Sequence, residues 1–180
     1  MRKITLIVAA AHCLALALGG AAQAGKLDDI KAKGVLVCGV KDSQVPFGYV
    51  DEKTNQIVGF DIDICKYVAD KLGVKLDVKP VTSATRIPML TQGSVDMVAA
   101  TMTHKFERDE VIDFSITYFM DGQKLLVKKG GGVNSTADLK GKKVGTAKGS
   151  TSEKNIKDAQ PDAQVISFEN YSQAFLALKQ

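Results

Sequence analysis

The sequence predicts an α/β layer fold with largely parallel strands, on three observations. From Gly34 onward, strand-like and helix-like patterns alternate. The strand-like runs are short and nearly continuous in apolar residues, the pattern of strands covered on both faces. Glycines stand where the helical patterns should stop. Alternation of this kind builds successive βα units.

Val35-Leu36-Val37-Cys38-Gly39-Val40 is the first expected strand. The stretch Phe60–Leu72 then sets Phe60, Ile64, Tyr67, Val68 and Leu72 at helical spacing, and Gly73 closes it. A strand over residues 76–81, a helix over 86–92 ending near Gly93, and a strand over 95–100 complete the first half. Residues 123–127 read as a long strand running into a glycine loop at Gly130-Gly131-Gly132. A second set of βα units follows: a helical turn near Asp138, a strand at Val144-Gly145-Thr146, a helix from Gly149-Ser150-Thr151, a strand over 165–168 and a helix from Tyr171. In sheets of this class ligands sit beyond the carboxyl ends of the strands, so the segments after Val40, Val81 and Ala100 are the places to seek a site.

The first 24 of the 180 residues read as a secretory signal peptide. Arg2 and Lys3 make a basic start, residues 4–18 are mostly apolar, and Ala22-Gln23-Ala24 suits cleavage. The apolar run is too short for a permanent membrane span. Cys13 lies inside that run rather than after a small-residue cleavage motif, which argues against a lipid anchor. The expectation is a soluble protein delivered to the periplasm.

The formal net charge is +4, two of it from Arg2 and Lys3, and the remaining Lys and Arg are scattered among Asp and Glu. With no basic stripe and no aromatic ladder, nucleic acid is excluded as a partner. His104 is the one histidine after residue 24, and no zinc-type spacing occurs, so neither metal nor cofactor is expected. Cys38 and Cys65 remain after cleavage. They can form a bridge in an oxidising compartment or remain two separately buried thiols, and the sequence leaves both open.

Three polar clusters fall at expected strand ends. Thr101, Thr103 and Arg108 follow the strand over 95–100. Arginine offers a rigid fork that matches a carboxylate, although Arg108 can equally pair with Asp109 or Asp113. Gly149-Ser150-Thr151-Ser152 begins a helix, where free N–H groups and the dipole suit an anion, although Ser150 or Thr151 can simply cap the helix with Glu153. Lys41, with Ser83 and Arg86, is the third cluster: two cations in one crevice repel unless an anion joins them, or they stay apart in solvent.

Gly59-Phe60-Asp61-Ile62-Asp63-Ile64, continued by Val68, Ala69 and Leu72, resembles the signature of the family 3 solute-binding proteins, receptors of importers for polar amino acids. Val45-Pro46-Phe47-Gly48-Tyr49, Glu107-Arg108 with Asp113-Phe114-Ser115, Asp138-Leu139-Lys140-Gly141-Lys142-Lys143-Val144 and Gly149-Ser150-Thr151 agree with it. The resemblance implies a periplasmic-binding-protein-like clamp of two α/β lobes joined by two crossing strands. Residues 25–115 would form the first lobe, and residues 116–180 a hinge strand and part of the second.

The resemblance also implies roles. Arg108, Thr103 and the Gly149, Ser150, Thr151 turn would hold a ligand α-carboxylate, and the Thr101 carbonyl would accept from its ammonium. Basic-ligand relatives look to carry an acid where this chain has Lys41 and an aromatic where it has Gln44. Together with the likeness of Val81-Thr82-Ser83-Ala84-Thr85-Arg86 to glutamate/aspartate-binding members, this points Lys41, Ser83 and Arg86 at an acidic side chain. Phe60 would be a pocket wall. The partners implied are an amino acid and the membrane permease of an ATP-driven importer, with the receptor itself a monomer.

The second crossing strand, and the acidic residue that pairs with the ligand ammonium, would lie beyond Gln180. An incomplete second lobe, and weak or no closure on ligand by residues 25–180 alone, are therefore expected. A clamp-fold cyclohexadienyl dehydratase and the sensing domain of a receptor are the other readings. The first needs a positioned acid or base, for which His104 and Asp61 are the candidates. The second needs a membrane-spanning helix after the clamp.

Overall fold

The central element of the first lobe is β1 (Val35–Val40), which pairs in parallel with β5 (Lys75–Pro80) on one side and β6 (Met97–Ala99) on the other in this computed structural model, which describes residues 25–180. The expected signal peptide and Cys13 lie outside the described residues. Being central, β1 needs apolar residues on both faces, and Leu36, Cys38 and Val40 are buried. Helix α1 (Lys26–Lys33) packs Ile30 against Leu36 and Ala69 and ends at Gly34, whose φ of 67° lets its N–H reach the Ile30 and Lys31 carbonyls.

Three short antiparallel strands, β2 (Ser43–Gln44), β3 (Gly48–Val50) and β4 (Ile57–Val58), lead from β1 into helix α2 (Phe60–Leu72). The junction needs glycine at position 59. Its φ is 133°, and a Cβ there would collide with the carbonyl oxygens of Pro46 and Phe47. Helix α2 matches the expected span at both ends and stops at Gly73, φ 70°. Helix α3 (Arg86–Thr91) leads to β6, which is shorter than expected because only residues 97–99 find a partner on β1. A single turn, α4 (Phe106–Asp109), follows β6.

The second lobe region is a βαβ unit. A short 3-10 turn (Ala137–Leu139) precedes β7 (Lys143–Ala147), helix α5 (Thr151–Ala159) crosses over, and β8 (Gln164–Phe168) pairs with β7 in parallel. Helix α6 (Tyr171–Lys179) packs back on β7, and its Ser172 hydroxyl donates to the Ser43 carbonyl of the first lobe, 3.1 Å away.

The expected hinge strand over residues 123–127 is not formed. These residues are exposed and make no ladder, because no strand among the described residues lies alongside to take their N–H and C=O groups.

Cys38 and Cys65 are joined in a disulfide that ties β1 to the inner face of α2 within the core formed with Val40 and Ala99. The bridge closes a loop with a sequence separation of 27. Loop entropy assigns such a closure about 3 kcal/mol. The Cys38→Ala/Cys65→Ala double variant should therefore melt roughly 5–10 °C below the parent, read by thermal denaturation. Equal melting temperatures, with two titratable thiols in the unreduced, unfolded parent, would contradict the bridge.

Candidate ligand-binding site

Parallel pairing leaves the carboxyl ends of β1, β5 and β6 on one edge of the sheet, and two of the three polar clusters follow from that edge. Lys41 comes directly after β1, Ser83 and Arg86 lie at the start of α3, and Thr101 and Thr103 follow β6. The amino end of α5 meets them. Gly149, φ 72°, comes so close that an added Cβ would stand 2.8 Å from the Ala84 Cα and 3.1 Å from the Ser83 carbonyl oxygen. The Thr103 and Thr151 hydroxyls are 3.3 Å apart across the same seam. Gln123 docks the connecting segment on α5 beside the seam, donating to Thr151 Oγ1 at 2.7 Å and accepting from Asn155 Nδ2 at 2.8 Å.

Two cavities flank the seam. One, of about 510 Å³, is bounded by Gln44, Phe47, Asp61, Thr101, Thr103 and Tyr118, with Thr151 and Tyr171 opposite. The other, of about 500 Å³, lies beside Arg108, Gly149, Ser150 and Thr151, with Lys154 and Lys157 on its rim. Each is in the size range of small-molecule sites. Thr151 lines both.

Lys41, Ser83 and Arg86 are brought together as expected but lie beneath the surface, at 4%, 7% and 2% exposure, and form no part of either cavity wall. The Lys41 ammonium donates to Ser83 Oγ at 2.9 Å. Arg86 Nη1 donates to the Ala100 carbonyl at 2.6 Å, and its Nε has no partner among the described residues. Neither cation forms an ion pair there. Burial, and then the nearby Arg86 charge, push the Lys41 ammonium down to about 8. Burial is also the main cause that lowers the Arg86 guanidinium.

Arg108 pairs with neither Asp109 nor Asp113. Its guanidinium donates to the Thr103 carbonyl at 2.6 Å, and Asp109 lies instead 2.7 Å from Nε2 of His104, whose ring stacks on Phe114. At the start of α5 the capping arrangement is present: Ser150 Oγ accepts from the Glu153 N–H at 3.1 Å, and the Glu153 carboxylate accepts from the Gly149 N–H at 2.7 Å. Hydrogen bonds from Ser167, Lys157 and Gly149 hold Glu153 near 2, firmly ionised.

Phe60, expected as a pocket wall, lines neither cavity: it is an exposed side chain beside the first, its ring 6.2 Å from Phe47 and 5.8 Å from Phe119, both of which do line it. Asp61 belongs to the wall although sequence reasoning gave it no binding role. Its carboxylate is 0% exposed and accepts from the Thr101 N–H and the Tyr118 hydroxyl, each at 2.9 Å. An acid in the first turn of a helix is explained by the helix dipole alone, which hid this role. Gln123 and Tyr171 were missed too; only the fold brings them to the seam.

The profile of the bacterial extracellular solute-binding proteins, family 3, matches residues 36–175. The chain belongs to that family. It is 50% identical over 157 residues to a glutamine-binding protein of Geobacillus stearothermophilus, a match covering 85% of this chain and 60% of that protein. It is 36% identical over 194 residues to a glutamate/aspartate import solute-binding protein of Salmonella typhimurium, covering 99% of this chain and 64% of that one. The crystal structure of an ancestral amino acid-binding protein, a precursor of cyclohexadienyl dehydratase, superposes with a TM-score of 0.82 at 38% identity, covering 86% of this chain and 70% of that one. The chain thus spans about 60% to 64% of the length of these two curated relatives. Its fold is the clamp of the family, as the resemblance implies.

In this solute-binding fold the Lys41 shift has a measurable sign. The unfolded chain binds a proton at Lys41 up to its ordinary value of 10.5, whereas the folded chain releases it from about 8. Between those values the unfolded state holds more protons, so stability rises with pH through that window and the penalty is fully present below it. Urea titrations at pH 7.5 and 9.5 should show that Lys41→Met removes part of this rise. Parallel pH profiles for parent and variant would contradict the assignment.

Proposed function

We propose that this chain is the ligand-capturing part of a periplasmic receptor for an amino-acid importer driven by ATP hydrolysis, and that it holds a polar amino acid at the seam between its lobes. Family membership supports capture. Relatives named for glutamine and for glutamate/aspartate support a polar amino acid. The permease is the partner, the receptor acts as a monomer, and the task is binding without turnover.

The observation that carries the reading is Thr151, which lines both cavities and lies beside both Thr103 and the Arg108-lined wall. A ligand α-carboxylate would meet Arg108, Thr103 and the Gly149-Ser150-Thr151 turn, a geometry suited to charge-assisted hydrogen bonds. Its ammonium would face the Thr101 carbonyl and the Asp61 side of the larger cavity. A side-chain amide suits the rest of the wall, where Gln44, Thr103, Gln123 and Ser152 donate and accept without net charge. Glutamine is therefore the first reading of the ligand.

One observation favours the acidic alternative. Lys41 and Arg86 are two buried cations without an ion pair, and the free Arg86 Nε is a donor that a carboxylate would satisfy. Glutamate or aspartate would then have to open the wall in front of them.

Thermal shift in millimolar ligand separates the readings. A ligand bound only by the native state adds about 2.7 kcal/mol at a hundred times its Kd. Glutamine should raise the melting temperature by several degrees and more than glutamate or aspartate, and Lys41→Met should leave that response intact. A larger response to glutamate that Lys41→Met removes would make the acidic reading the right one. No response to any amino acid would overturn capture by this chain and match the weak closure expected of residues 25–180 alone, and turnover of prephenate would overturn binding without catalysis.

A further inference from the structure

One peptide group in the molecule is gripped at both ends by buried charged side chains of opposite sign. The carbonyl of the Ala100–Thr101 peptide accepts from Arg86 Nη1 at 2.6 Å, and its N–H donates to Asp61 Oδ2 at 2.9 Å. Arg86 is 2% and Asp61 0% exposed. The two charges attract each other without touching as an ion pair. The peptide they hold is the one that leaves β6 for the seam. Thr101 has φ 48°, in the left-handed region, where a β-branched side chain is unfavourable and persists only if its surroundings enforce it. The other Asp61 oxygen accepts from the Tyr118 hydroxyl, on the segment that runs toward the second lobe.

We infer that Asp61 and Arg86 are positioning residues that together fix the plane of the Ala100–Thr101 peptide, hold Thr101 in its strained conformation and so aim the backbone of residues 101–103 at the ligand. Tyr118 links this device to the connecting segment. The role assigned to Arg86 differs from contact with a ligand side chain: its Nη1 is engaged with backbone, and its effect on binding is exerted through Thr101. The inference rests on the reading of the seam as an amino-acid site, but the backbone clamp exists without ligand and can be measured without it.

Amide hydrogen exchange and calorimetry on the whole chain test the pair. In the unaltered protein the Thr101 amide should exchange at least tenfold more slowly than the loop amides of the exposed residues 103 and 104, because its partner is a fully buried carboxylate. Asp61→Ala should erase that protection and weaken glutamine binding about tenfold or more, the expected loss for a hydrogen bond to a charged group. Asp61→Asn keeps an acceptor for the Thr101 N–H, and should retain both properties to within a few-fold even though it too loses the charge that offsets Arg86. A purely structural role would instead make affinity follow melting temperature across the two variants. That pattern, or a Thr101 amide in the parent that exchanges as fast as its exposed neighbours, would overturn the inference. If Asp61→Ala does not fold, the parent exchange rate and Asp61→Asn decide it. Absence of glutamine and glutamate binding by the parent defeats the ligand reading alone and leaves the exchange data to judge the clamp.

Discussion

The parallel pairing of β1 with β5 and β6 is the constraint from which the rest of this structure follows, because parallel strands deliver all their carboxyl ends to one edge of the sheet. The three segments that leave that edge carry Lys41, the stretch from Ser83 to Arg86, and the stretch from Thr101 to Thr103. Past the last rung of the ladder, their peptide groups and polar side chains have lost their regular partners, yet Lys41, Ser83, Arg86 and Ala100 are still buried. Most are satisfied by a neighbour, Lys41 by Ser83, Ala100 by Arg86 and Thr101 by Asp61 of α2, with the Arg86 Nε left over. Burial of polar groups at such an edge costs free energy unless every group is paired. These bonds therefore fix the geometry of the edge around Ala100 and Thr101.

The second lobe approaches this edge with the amino end of α5. Close approach is possible because position 149 has no side chain to strike Ala84, and the Thr103–Thr151 contact then knits the seam at the hydroxyl level, with Gln123 docked on Thr151 beside it. The charges are sorted by depth. Lys41 and Arg86 lie under the wall, where burial disfavours their protonated forms, while Arg108 lies half-buried at the mouth with its fork on the Thr103 carbonyl. Low dielectric beneath the wall strengthens the field of the deep pair, whereas the outer arginine stands in partial contact with solvent.

Much of this was legible in the sequence where a pattern was long. The apolar run of β1 and the helical spacing of α2 gave both elements their observed bounds, and the clustering of Lys41, Ser83 and Arg86 followed from their places after the strands. The two- and three-residue strands β2, β3 and β4 carry no periodicity to read, and they went unseen. The strand-like run at residues 123–127 describes a segment able to pair, which is different from one that has a partner, so a strand was expected where none forms. The Cys38–Cys65 bridge was left open because distance between residues is a property of the fold. Asp61 was the largest omission: its motif was plain, but only the structure shows its two oxygens on Thr101 and Tyr118.

The central claim is that a polar amino acid is held where the strand edge of the first lobe meets α5 of the second. Backbone amide chemical shifts recorded during titration with glutamine test it residue by residue. The account predicts that the largest changes fall on both sides of the seam, at Gln44, Thr101 and Thr103 in the first lobe and at Ser150, Thr151 and Tyr171 in the second. Changes confined to one lobe, or centred on surfaces away from that edge, would contradict it.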